Sequence, residues 1–347
     1  VALDVRRLGR EISLFWHVPA QIAIHYSKSS ILQVPFELLT TRSTPYLQAL
    51  KLSYDAARRL DTPVGFLSER QLVAGTAAAH KLVVLPAVRY MPPAVVDAID
   101  GYVRAGGTLL ILPEALQADE YARPQPYLDR WGIDIGASHV PQIEGLGPSE
   151  QGYDQSLSQK VHFGPGRELQ GTCIDDEWLS GCRVETSGIF QEIDVSDGRV
   201  LAAADGIPLL VHTQIDEGQL YYFAGMPTAV SLRSILDRLM SATGVTRSLR
   251  LGAPDGTRLD SVEARLVSTK YYDLIYLVNE ADTACPFRLE TQRPWVRARE
   301  LRSLEYWNEQ QGALLGTLPA RQTLIFKLSI DPVAVGRDPD EPVFAYH

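Results

Sequence analysis

The sequence predicts an open α/β domain built on a parallel sheet with flanking helices, followed by a small all-β sandwich. Three observations predict it. Between residues 20 and 136, short apolar runs alternate with amphipathic helical patterns, the signature of βαβ crossovers. Between 250 and 330, apolar residues recur with period two, and turn residues break the runs. The stretch between them, 137–245, carries short strand-like segments with hairpin chemistry and closes on one amphipathic helix.

The elements follow in order. "AQIAIHYS" (20–27) reads as a first buried strand, an apolar run ending in polar residues. "TPYLQALKLSYDAARRLD" (44–61) reads as a helix, with Thr44 as cap, Pro45 at the first position and an apolar face of Leu47, Leu50, Tyr54, Ala57 and Leu60. "PVGFLSE" (63–69), "KLVVLPA" (81–87) and "TLLILPE" (108–114) are the next strands. "PPAVVDAIDGYVRAG" (92–106) is a helix with Val95, Val96, Ile99 and Val103 on one face, stopped by Gly106 and Gly107. Residues 139–159 are rich in Gly, Pro, Ser and Gln and read as a long loop. "RVETSGIFQEI" (183–193), "RVLAAADGIPLLVHTQID" (199–216) and "GQLYYFAGMP" (218–227) are strand-like, with turns at "DGIP" and "DEG". "SLRSILDRLMSATGV" (231–245) is a helix with Leu232, Ile235, Leu236, Leu239 and Met240 facing inward. The last region supplies four to six short strands, with turns at Lys270–Asp273, Glu309–Gly312 and Pro319. The Pro- and Asp-rich tail 332–347 reads as an extended arm or a disordered segment.

Bulk composition narrows the function. The chain has 347 residues, 45% apolar and 22% charged, ordinary values for a globular protein of two or three domains. Its net charge of −9 argues against a nucleic-acid partner. No apolar run approaches the ~20 residues of a membrane span, so no membrane partner is expected. The opening "VALDVRRLGREISLFW" has no signal-peptide pattern, and a first residue of Val is expected from a processed chain or a piece of a longer one. Cys173, Cys182 and Cys285 are an odd set without CxxC spacing, and reduced thiols favour a cytoplasmic location.

The succession of these elements resembles a known family. A Tyr-rich helix, "PVGFLSE", "HKLVVLPAVRYMPPAVVDAIDGYVRAGGTLLIL" and "ADEY" look like the middle domain of glycoside hydrolase family 42 β-galactosidases. "IDEGQLYYFAGMP", with a helix ending "ATGV", resembles the end of that domain. "VEARLVSTKYYDLIYLVNEAD" resembles the family's small C-terminal β domain. The resemblance covers residues 18–330. It implies a flavodoxin-like, class I glutamine amidotransferase-like fold for 19–248, called the trimerisation domain in that family, and a β-sandwich at 249–331. Residues 1–18 would then be a linker from an upstream domain. It also implies a homo-oligomer, a trimer, and a carbohydrate substrate for the parent enzyme. The family's catalytic (β/α)₈ barrel should precede this region, yet only about 18 residues do, where a barrel needs ~200 or more. Non-catalytic structure in a β-galactosidase-like hydrolase is therefore the reading expected. The alternative is a stand-alone carbohydrate-binding protein or small-molecule enzyme with the same fold.

Candidate site residues were sought where ligands bind in open α/β sheets, beyond the carboxyl ends of the strands. There the sequence places His25, Glu114, Asp119 and Glu120. In a class I amidotransferase the nucleophilic Cys sits in a strand-to-helix elbow, and the equivalent place here holds Pro113, Glu114 and Ala115. No catalytic residue is assigned. Glu114, Asp119 and Glu120 could act as a carboxylate pair or serve as loop and subunit-contact charges. His25 reads as a ligand contact or as a satisfied sheet-edge residue. "CIDDEW" (173–178) reads as an exposed acidic turn or a hard-metal site, without EF-hand spacing. The seven His form no HxH or HExxH, and "GPGRELQG" (164–171) lacks the P-loop Lys, so no metal and no cofactor is expected. "YYDLIY" with Trp295 and Trp307 reads as a sugar platform or as β-sheet core.

Overall fold

The computed structural model describes residues 6–33, 45–139, 168–173, 179–307 and 312–330. Thr44, the stretch 140–159, the acidic run 174–178, the first half of "GPGRELQG", the turn residues 309–311 and the tail 332–347 lie outside the described residues. The chain forms two compact units. The larger takes in 21–57 and 64–245, and the smaller takes in 1–20, 58–63 and 246–347. Six α-helices serve the description: α1 (Gly9–Leu14), α2 (Lys28–Leu32), α3 (Pro45–Ala57), α4 (Glu69–Val73), α5 (Pro93–Arg104) and α6 (Ala229–Ala242).

The larger unit is built on one 11-stranded sheet. β1 (Ile22–Tyr26), β2 (Val64–Ser68), β3 (Leu82–Leu85), β4 (Thr108–Ile111) and β10 (Gly218–Phe223) form its parallel part, in the order β2-β1-β3-β4-β10. The register runs Ile22 to Val64 and Leu82, then Val83 to Leu109 and Leu109 to Leu220. β3 and β4 are buried at every residue, as a parallel strand covered on both faces should be.

The sheet is mixed where a parallel one was expected. Beyond β10 it continues antiparallel through β9 (Ile207–Ile215), β8 (Arg199–Ala204), β6 (Leu169–Cys173) and β7 (Arg183–Val195), and β5 (Ile133–His139) and β11 (Gly225–Pro227) pair with β7. The cause is the turns. Asp205 and Gly206 both have positive φ, 51° and 78°, which closes a tight hairpin between β8 and β9. Asp216 at φ 50° begins the turn from β9 to β10. Two-residue turns return the chain antiparallel and leave no room for a crossover helix.

The helices bury the stripes their spacing dictates. α5 buries Val95, Val96, Ile99, Tyr102 and Val103. α6 buries Leu232, Ile235, Leu236, Leu239 and Met240, and Thr228 caps it by accepting from Ser231 N at 3.3 Å. α3 departs from expectation. It buries Tyr46, Ala49, Ser53, Ala56 and Ala57 and packs against α6, while Leu47 and Leu50 are only partly buried and Tyr54 is exposed. A small-residue face lets two helix backbones approach, and that outweighs the larger apolar stripe. Gly218 is fixed by proximity, because a Cβ there would lie 1.8 Å from the Val103 carbonyl.

In the smaller unit, β12 (Leu249–Gly252), β15 (Cys285–Thr291) and β18 (Leu314–Leu318) make a three-stranded sheet. β13 (Val262–Ser268), β14 (Tyr272–Asn279), β19 (Thr323–Ser329), β16 (Arg297–Glu300) and β17 (Tyr306–Trp307) make a five-stranded one. Both sheets contribute to one apolar cluster holding Leu251, Leu277, Phe287, Leu289, Trp295 and Phe326. Trp295 is therefore core and Trp307 packs against it, so neither offers a flat exposed ring. α1 packs Ile12 and Leu14 on a second cluster with Leu274 and Ile325. Residues 58–63 tie into the same unit by charge: Arg58 bridges Glu263 at 2.7 Å and Glu280 at 2.6 Å, and Arg265 donates to the Arg58 carbonyl at 2.6 Å.

Candidate functional site

The predicted site residues lie in the larger unit at or just beyond the carboxyl ends of β1 and β4, but they are not free groups converging on one another. His25, near the end of β1, is fully buried. Its Nδ1 donates to the Leu67 carbonyl at 2.9 Å, and its Nε2 is buried without a hydrogen-bond partner among the described residues. Burial lowers its pKa from 6.5 to about 4, against weaker opposing effects of the Leu67 carbonyl and Glu69, so the ring is neutral near pH 7.

Two residues on, Ser27 opens α2. It accepts from Ser30 N at 3.0 Å and donates to Glu69 Oε1 at 3.0 Å, and Glu69 also accepts from Ser29 N at 2.9 Å. The Tyr46 hydroxyl oxygen accepts from Ser27 N at 2.8 Å. Burial, before the weaker effects of its neighbours, raises the Tyr46 pKa well above the ordinary phenol value. Ser27 and Glu69 were not singled out in the sequence. The capping box at Ser68 and Gln71, which sets α4 and so places Glu69, is the signal that points to them.

Glu114 follows β4 with φ 69°, in the left-handed region rare for a residue with a side chain. It is buried, and its carboxylate pairs with the half-exposed Arg89. Its amide donates to Gln191 Oε1 at 2.7 Å, and the same oxygen accepts from the buried Tyr222 hydroxyl. Burial, and then the Glu114 charge, raises the Tyr222 pKa well above the ordinary value, so Tyr222 remains a donor. The loops after β3 and β4 are laced together: Leu116 N donates to Val88 O at 2.8 Å, and Met91 N to Ala118 O at 3.0 Å. Gln191, a polar residue inside the apolar strand "GIFQEI", is the member of this cluster that its inward position could have revealed.

Asp119 is spent inside its own turn. Its Oδ1 accepts from Tyr121 N and Arg123 N, each at 2.9 Å. Burial acts to raise its pKa, but the Arg123 and Tyr121 amides and the Arg123 charge outweigh it and hold the carboxyl below its ordinary range. Glu120 accepts from Gln33 Nε2 at its backbone oxygen, 2.6 Å, and its Oε2 is buried without a hydrogen-bond partner among the described residues. Glycoside hydrolysis needs two opposed carboxyls about 5–9.5 Å apart, one of them able to give up a proton. Glu114 is clamped by a guanidinium and Asp119 accepts from two amides, contacts that fix the loop after β4.

Two cavities lie outside this cluster. One, of about 500 Å³, is lined by Tyr26, Leu47, Leu50, Tyr54 and Phe66 with Lys51 and Gln71, on the outer edge strand β2. The other, of about 980 Å³, lies at the opposite, amino end of the parallel strands. Among the described residues, no group of three His, Cys, Asp or Glu could hold a metal, and no helix is long and apolar enough to cross a membrane.

The fold defines a mixed α/β unit joined to an antiparallel β unit, and solved structures share this combination. No protein-family model and no curated protein matches the sequence. The β-galactosidase of Bacillus circulans sp. alkalophilus is similar over 93% of this chain and 44% of its own, with a TM-score of 0.65 and 18% identity. That of Rahnella sp. R3 is similar over 95% and 44%, with a TM-score of 0.67 and 15% identity. A GH42 β-galactosidase from G. stearothermophilus is similar over 94% and 43%, with a TM-score of 0.64 and 14% identity. The chain thus spans less than half the length of these enzymes, and at these identities what it shares with them is the fold.

Proposed function

We propose that the chain is the non-catalytic oligomerisation region of a β-galactosidase-like glycoside hydrolase, whose catalytic barrel is not among these residues. One observation carries the reading: the fold similarity takes in nearly the whole of this chain and under half of each β-galactosidase. The parallel order β2-β1-β3-β4-β10 supports a flavodoxin-like, amidotransferase-like assignment for residues 19–248.

In this reading the unit packs subunits together, as a trimer, and the parent enzyme acts on a carbohydrate. The edge strand supports an interface: Tyr26, Tyr54 and Phe66 are 44%, 38% and 46% exposed on one patch. Light scattering on the purified chain tests it. The expected mass is a multiple of 38.4 kDa that Phe66→Ser reduces to the monomer, with no turnover of a chromogenic galactoside. A monomer at every concentration, or hydrolysis by the chain alone, would overturn the reading.

A further inference from the structure

We infer that Cys173 and Cys182 are a redox pair, which a hydroperoxide oxidises to a disulfide that clamps β6 to β7. The inference is independent of the oligomer reading, because it rests on two neighbouring strands of one sheet. Both residues are thiols in this structure. Their spacing in the sequence is too wide for a CxxC motif, and only the fold brings them face to face.

Register sets the meeting. Gly171 pairs with Val184 and Thr172 with Arg183, so the next position along the ladder sets Cys173 against Cys182. Backbone hydrogen bonds carry the pairing to that point: Cys173 N donates to Cys182 O at 2.8 Å, and Gly181 N donates to Cys173 O at 3.0 Å. Gly181, at φ 77°, makes this a bulge in which Gly181 and Cys182 together oppose Cys173. Glycine has no side chain, so the Cys182 side chain alone stands against Cys173. Alternation puts both thiols on one face: Thr172 and Arg183 are exposed, whereas Gly171, Val184, Cys173 and Cys182 are buried. Opposed residues of an antiparallel pair have Cα atoms about 4.5–5.5 Å apart, inside the ~4.4–6.8 Å that a disulfide spans. Their Cβ atoms need to close by only about 1 Å. Ser234 on α6 donates to Cys182 Sγ at 3.8 Å and fixes that sulfur on the inward face.

The pair sits where β6 ends and β7 begins. Cys182 closes a turn, its N donating to Leu179 O at 3.0 Å, and Ser180 and Gly181 in that turn are exposed. A small oxidant needs only the local opening of this turn to reach a sulfur. The chemistry balances with a hydroperoxide. One thiolate attacks the peroxide, an S–O bond forms as the O–O bond breaks, and the alcohol (water, from hydrogen peroxide) leaves with the proton that thiol had lost. The second sulfur attacks the resulting sulfenic acid, the S–S bond forms, and the oxygen departs as water with the second thiol proton. Two electrons pass from the sulfurs to the peroxide. Cys173 also pairs with Ala202 on β8, so the bond locks the corner where three strands meet.

Peptide mass mapping of the full chain tests this. The folded protein is treated with hydrogen peroxide, quenched, denatured and alkylated, then cut with trypsin. Both cysteines fall on one peptide, 168–183, because Arg167 and Arg183 bound it and no Lys or Arg lies between. The expected peptide has lost two hydrogens and takes no alkyl group, and dithiothreitol restores two alkylated thiols. In Cys182→Ala the loss should vanish, and dimedone should trap Cys173 as a sulfenic acid. The unsubstituted chain decides the question if that variant fails to fold. In a glutathione redox buffer the folded chain should hold the bond about tenfold more tightly than the chain in urea, because a disulfide that fits the native strands is linked to folding. Two alkylated thiols after peroxide, sulfinic or sulfonic acid at either cysteine in place of the bond, a bond to Cys285, or equal bond strength in urea would overturn the proposal.

Discussion

Replacing Arg58 with Ala should unfold the smaller unit far more readily than replacing an ordinary surface arginine. The Arg58 side chain is 12% exposed, and it joins two carboxylates, Glu263 at 11% and Glu280 at 30%. Removing one partner of a buried pair costs about 3–5 kcal/mol, because the other charge is left without compensation. The full cost does not apply here. Glu263 keeps Tyr276 Oη at 2.8 Å and Arg265 at 3.5 Å, and Glu280 keeps Arg59 at 2.6 Å. A loss of about 2–3 kcal/mol remains, which in a unit of this size lowers the midpoint on the order of 10–20 °C. Calorimetry, with urea unfolding at fixed pH, measures it. Pairing Arg58→Met with Glu263→Leu should recover part of the loss, because a neutral pair no longer strands a charge. A cost under about 0.5 kcal/mol for Arg58→Ala would place the cluster among solvated surface pairs and refute the reasoning.

Four further substitutions have signs set by the structure. Burial raises Asp61 from 3.8 to about 6, so the folded state holds a proton that the unfolded state has released; stability falls as pH rises from 4 to 6, by up to about 3 kcal/mol, and Asp61→Asn should flatten that slope in urea titrations. His25 acts in the opposite sense: with its pKa lowered from 6.5 to about 4, the unfolded state takes up a proton the folded state refuses, stability falls as pH drops from 6.5 to 4, and His25→Gln should remove that acid sensitivity. Gly218→Ala should cost about 3 kcal/mol or more, since its Cβ would meet the Val103 carbonyl at 1.8 Å, whereas Gly101→Ala on α5, with nothing within 4 Å, should stabilise by about 0.5–1 kcal/mol in the same thermal melts.

Where one physical signal dominates, the sequence can be read directly. The all-apolar runs of β3 and β4, the stripes of α5 and α6, and the Asp205–Gly206 hairpin all appear where periodicity and turn chemistry place them. α3 misleads because Leu47, Leu50 and Tyr54 form a plausible stripe, while Ala49, Ser53 and Ala56 form the closer contact. Helix propensity and hydrophobicity do not report how near a neighbouring helix will come. β5 and β6 were missed because short, partly polar strands at the far side of a sheet carry little alternation. At the strand ends, the positions of His25, Glu114, Asp119 and Glu120 could be read, but their partners could not. Arg89 lies 25 residues and Gln191 lies 77 residues from Glu114, and no local pattern links them.

The smaller unit is not one stretch of chain: it draws on 6–20, 58–63 and the segment after 246. During synthesis residues 58–63 are made 190 to 222 residues before their partners exist. Arg58, Arg59 and the buried Asp61 must wait, charged and solvated, until Glu263, Glu280 and the Leu251 amide have been made. The larger unit has its own long wait, β4 for β10, but its last elements end at 245, before most of the smaller unit has been made. A chain ending at residue 246 would therefore carry every element of the larger unit and only the early, unsatisfied pieces of the smaller one. A gene cut at 246 would leave Arg58, Arg59 and Asp61 without those partners and the smaller unit unformed.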